Sequence, residues 1–62
     1  MLPSDEVRRA LENERCTPKG PHPSAWWNHP GIGDFWVDII GGQVSEVQFA
    51  LIMNDIIKNR PP

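Results

Sequence analysis

Between Glu46 and Asn59 the apolar residues Phe49, Ile52, Met53, Ile56 and Ile57 fall at i, i+3, i+4, i+7 and i+8, the spacing that lines one broad face of an α-helix. Val44, Val47 and Leu51 make a second apolar patch far around the same helix, with Gln48, Asn54 and Asp55 on the polar surface between and beside the two. Ser45-Glu46-Val47-Gln48 has the form of a capping box, Lys58 and Arg60 stand near the negative end of the dipole, and Pro61-Pro62 lie beyond. A helix over 46–59 follows. Upstream, Val7, Ala10 and Leu11 form a narrow stripe that predicts a helix over 5–15. Ser4 is placed to cap it, Asp5 and Glu6 favour its positive end, and Asp5 with Arg9 and Arg8 with Glu12 are spaced to pair.

The stretch between the helices has a different pattern. From Thr17 to Gly33, Pro18, Pro21, Pro23 and Pro30 remove backbone donors while Gly20, Gly31 and Gly33 relax the chain, so an irregular segment is expected over 17–33, with one turn at most after Ser24. Asp34 can cap a short helix over 35–40 that puts Trp36, Ile39 and Ile40 on one face before Gly41-Gly42 ends it. The rival is a hairpin, with Phe35–Ile40 and Gln43–Phe49 as strands around the Gly-Gly loop. The capping box at Ser45 favours the helix. The expectation is therefore an all-α fold, one small domain of three helices with a long Pro/Gly/Trp-rich connection between the first and second. Its core would join Phe49, Ile52, Met53, Ile56 and Ile57 to Trp36, Ile39, Ile40 and Leu11. There are no internal repeats and no heptads long enough for a coiled coil.

Length changes what the second patch means. A chain of 62 residues buries only about 60% of the surface its unfolded form exposes and usually needs a staple. A single cysteine, Cys16, forms no internal disulfide, and no paired Cys-x-x-Cys spacing suggests structural zinc. Docking or self-association remains. A net charge of −2 gives no global attraction to nucleic acid or to an anionic membrane. The amino terminus does not resemble a secretory signal, and the longest apolar run, Phe49 to Met53, falls far short of the roughly 20 residues that span a bilayer. A reducing cytoplasm is expected, the host's were the chain viral.

The candidate chemistry is sparse. Cys16, His22 and His29, with Asp34 as a fourth group, have the donor types zinc takes but match no usual zinc spacing, so no metal and no cofactor is expected. Cys16 with either histidine is also the sole nucleophile and base pair, and a chain this small hardly builds the concave site catalysis needs. No enzyme activity is expected. A helix-turn-helix reading of 35–40 and 46–59 lacks clustered lysine and arginine on its second helix. Pro18-Lys19-Gly20-Pro21 is a weak proline-rich signal. The adjacent tryptophans are more informative: neighbouring side chains point different ways, so one of Trp26 and Trp27 can anchor the loop while the other faces outward.

These features together imply a protein-interaction module, with Trp26, Trp27, Val44, Val47 and Leu51 as the candidate partner-binding residues. It would dock on a larger protein as inhibitor or adaptor. The alternatives are a small structural or accessory subunit of an assembly such as a virion, a homo-oligomer, or a nucleic-acid-binding helix-turn-helix-like regulator.

Overall fold

The computed structural model describes residues 1–21 and 24–60; His22, Pro23, Pro61 and Pro62 lie outside the described residues. Strand β1 (Leu2–Pro3) leads into helix α1 (Ser4–Asn13), followed by β2 (Thr17–Pro18), β3 (Trp26–His29), β4 (Gly33–Trp36), β5 (Gln43–Val44) and helix α2 (Glu46–Lys58). Strands β2, β3 and β4 form an antiparallel sheet in that order, and β1 pairs antiparallel with β5. The fold among the described residues is α+β, two helices with two small antiparallel sheets, which overturns the expected all-α three-helix domain.

The correction falls on residues 17–40. No helix forms over 35–40: Phe35 and Trp36 belong to β4 and pair with Trp27 and Trp26. The 17–33 segment, expected to be irregular, supplies β2, β3 and the start of β4. The physical reason is that six residues fit two periods. Trp36, Ile39 and Ile40 suit a helical face, but Phe35, Val37 and Ile39 turn inward while Trp36, Asp38 and Ile40 are exposed, the period of two of an extended chain. Ile40, Trp36 and Ile57, expected in the core, are all about half exposed or more.

The hairpin rival is only locally right. Gly41 and Gly42 have φ of 59° and 75°, the doubly left-handed geometry of a two-residue hairpin turn, and the Ile40 and Gln43 backbones exchange hydrogen bonds of 2.9 and 3.1 Å across it. Beyond that pair the arms separate. Gln43–Val44 joins Leu2–Pro3, and Ser4 N–H donates to the Gly42 carbonyl at 2.8 Å. Ser4 is thus the first helical residue, and the cap position belongs to Pro3.

Helix α1 ends in a Schellman motif: Arg15 is left-handed (φ 68°), its N–H donates to the Glu12 carbonyl, and Cys16 N–H donates to the Leu11 carbonyl at 3.0 Å. The reversal drops Cys16 back onto Leu11, both of them buried. Ser45 caps α2 through its backbone alone, and the Gln48 side chain that a capping box would turn back to Ser45 instead accepts from Asp38 N–H at 3.1 Å. The core gathers Val7 and Leu11 from α1, Cys16, Trp27 from β3, Val37, Val44 from β5 and Ile56 from α2, with Phe49, Ile52 and Met53 packed against it half-buried. A bidentate Arg60–Glu14 pair, with contacts of 2.9 to 3.1 Å, joins the ends of the two helices.

Candidate docking surface

Alternation along β3 separates the tryptophans. Trp27 is 3% exposed, and its indole N–H donates to the Ser24 carbonyl at 3.1 Å; Trp26 points to the opposite face. There Trp26 meets Trp36 across the β3–β4 pair, edge to face, with ring centroids 5.0 Å apart and planes at 78°. Both rings remain about half exposed. Such a cross-strand pair stabilises a hairpin by about 0.5–1.5 kcal/mol beyond its area burial.

A second exposed region lies beside it. Met1, Ile40, Val47 and Leu51 surround a groove of about 320 Å³, completed by Asp38, Ser45 and Gln48. Each wall has a local cause. The Gly41-Gly42 turn leaves Ile40 on the outer side of the chain, 71% exposed. Val47 and Leu51 stand one turn apart on α2, 71% and 62% exposed. The α-amino group of Met1 sits 3.3 Å from Glu46 Oε1, which holds the first residue near the start of α2.

Asp38 links the two regions. Its Oδ1 accepts from the Trp36 indole N–H at 2.7 Å, and its own backbone N–H donates to Gln48 at the groove. The groove is therefore apolar in its walls with the Asp38 carboxylate at its rim. On the tryptophan face Asp34 accepts from Lys19 and from Asn28, each at 2.8 Å, and the lysine bond above all holds its carboxyl below the usual range.

Of the candidate contact residues, Trp26, Val47 and Leu51 are exposed, whereas Trp27 and Val44 belong to the core; Val44 is fully covered by its place in the β1–β5 pair. Met1, Ile40 and Trp36 were not foreseen. The period-two alternation that exposes Ile40 and Trp36 competes over 35–40 with an equally good helical period, and nothing in the sequence pattern marks Met1.

Of the metal and nucleophile candidates, Cys16 and His29 are buried. Cys16 is a buried free thiol, pushed up to about 11 by burial and, second, by the Glu14 carboxylate, so it carries no thiolate at neutral pH. His29 is buried, and its Nδ1 accepts from Gly31 N–H at 3.0 Å, which puts the ring proton on Nε2. His22 lies outside the described residues. Among the described residues no three His, Cys, Asp or Glu side chains come together as a metal site, and no helix is long and apolar enough to cross a membrane. The helix-turn-helix pair is absent, since the segment before α2 is extended.

Comparison with protein families, with curated proteins and with solved structures finds no match to this chain.

Proposed function

We propose that this chain is a non-enzymatic interaction module that docks through the surface formed by Ile40, Val47, Leu51 and Met1 on another, larger protein, as inhibitor or adaptor. One observation carries the reading: four large apolar side chains, each more than 60% exposed, surround a single concave groove. Exposed apolar residues scattered singly are ordinary, but a gathered patch of this kind marks contact sites. A cytoplasmic location goes with this reading, and the free thiol of Cys16 supports it.

The test is capture from the producing cell by the immobilised full chain, compared with a Val47→Glu/Leu51→Glu variant. Proteins retained by the native chain are expected to be lost from the variant, with the near-ultraviolet circular dichroism of Trp27 unchanged. Equal retention by both would remove this surface as the site. A second reading, a subunit of a homo-oligomer or larger assembly, is favoured by a separate observation: the exposed face of α2 does not stop at the groove but continues to Ile57.

A further inference from the structure

Helix α2 has a covered side and an open side along its whole length. Phe49, Ile52, Met53 and Ile56 face the core. On the opposite side Val47, Ala50, Leu51, Asn54, Ile57 and Lys58 are all exposed, within an arc of about 120° at 100° per residue. This open stripe is about 20 Å long at 1.5 Å per residue. Its two ends differ. At the amino end the 320 Å³ groove lies beside Val47 with the carboxylate of Asp38 at its rim, the Glu46 carboxylate nearby being paired with the Met1 amino group, and at the carboxyl end stand the exposed Ile57 and Lys58.

A surface with a hollow and negative charge at one end, and an apolar projection and positive charge at the other, is complementary to its own antiparallel copy. We propose that α2 pairs antiparallel with α2 of a second copy of this chain, about a twofold axis through the helix midpoint near Ile52. The inference rests on the outer face of α2 being the contact surface.

The positions are symmetric about that midpoint: Val47 is as far from it as Ile57, Ala50 as Asn54, and Glu46 as Lys58. The pairing sets Val47 against the partner's Ile57, the small Ala50 against the partner's Asn54, and the two Leu51 side chains together near the axis. The partner's Lys58 then lies level with Glu46, at the groove that Asp38 lines. Glu46 already holds the Met1 amino group, so Asp38 provides the additional negative charge. A parallel pairing would instead bring lysine to lysine and groove to groove, leaving the hollow unfilled and like charges opposed.

The test uses the full chain in sedimentation from micromolar to millimolar concentration. A reversible shift from 7.0 kDa to twice that mass is expected. Leu51→Glu, which sets two carboxylates at the axis, is expected to weaken the dimer on the order of 100-fold, the scale of a central contact residue. Cross-linking fixes the direction. Val47→Cys mixed with Ile57→Cys should oxidise to a mixed disulfide, while Val47→Cys alone should not, since antiparallel copies hold those positions about 15 Å apart, beyond the reach of a disulfide.

A wild-type chain that stays monomeric throughout overturns the pairing, as does a dimer indifferent to Leu51→Glu or a Val47→Cys chain that cross-links with itself. The docking reading fails separately: a monomer whose captured proteins are lost on Val47→Glu/Leu51→Glu refutes only the self-pairing, whereas unchanged capture refutes the docking surface.

Discussion

The two helices of this protein solve the same problem differently. Helix α1 buries Val7 and Leu11 and presents Asp5, Glu6, Arg9 and Glu12 to solvent, so its apolar side is fully used by its own chain. Helix α2 buries Ile56 completely, half-covers Phe49, Ile52 and Met53, and leaves Val47, Leu51 and Ile57 outside. Both ends of each helix are tied down, through β1 and the Schellman turn for α1, and through Ser45 and Arg60 for α2. Exposure on α2 is therefore a property of its sequence and not of a loose helix. A helix that only supports a fold needs one apolar face; α2 carries two.

Truncating one leucine on each helix puts this difference to the most severe test. Leu11→Ala removes a fully buried side chain and is expected to cost about 2–5 kcal/mol, a large part of the stability a domain this small can have. Leu51→Ala should change stability by no more than about 0.5 kcal/mol when the chain is dilute enough to be monomeric. Urea unfolding followed by tryptophan fluorescence measures both. Comparable losses at the two positions would mean that the outer face of α2 is part of the folded core. The same contrast holds within α2, where Ile56→Ala should be costly and Ile57→Ala, one residue on, should not.

The second test concerns how α2 is seated. Gly31, in the turn between β3 and β4, lies so close to the end of α2 that an added Cβ would fall on the Asn59 carbonyl oxygen, a backbone atom that cannot swing aside. Gly31→Ala is expected to destabilise the fold by about 1–3 kcal/mol, the usual cost of forcing atoms into a packed contact. A melting temperature that stays within error of the wild type would show that α2 is free to move off the sheet, and that its exposure reflects mobility.

How far each helix could be read in advance follows from the same contrast. The long periodic segments were legible: helices expected over 5–15 and 46–59 are observed at Ser4–Asn13 and Glu46–Lys58. The exposure of Val47 and Leu51 was legible too, because their spacing does not fit the Phe49–Ile57 stripe. Residues 17–40 were not. Their strands are two to four residues long, too short for alternation to outweigh a helical reading, and they are stabilised by partners distant in sequence, Thr17 with Asn28 and Leu2 with Val44. The groove needed that tertiary information as well, since Ile40 and Met1 reach it only once the Gly-Gly turn and the β1–β5 pair have formed.

The third test probes the end of α1, where Cys16 is folded back onto Leu11. Its thiol is raised from 9.0 to about 11, first by burial and then by the Glu14 carboxylate, both of which oppose the thiolate. Between those values the folded chain keeps a proton that the unfolded chain has released, so raising the pH favours unfolding. The contribution to stability is intact below about pH 9 and is lost as the pH climbs toward 11. Comparing wild type with Cys16→Ser over that window isolates the thiol, because every other group that titrates there is common to both. Alkylation gives the matching contrast with α2: at pH 8 a displacement of about two pKa units leaves Cys16 with roughly a hundredth of the ordinary thiolate fraction, whereas a cysteine introduced as Leu51→Cys should react at the ordinary rate. Similar rates at the two positions would show that the end of α1 opens as freely as the surface of α2, and the distinction between a helix closed by its own chain and one left open would be lost.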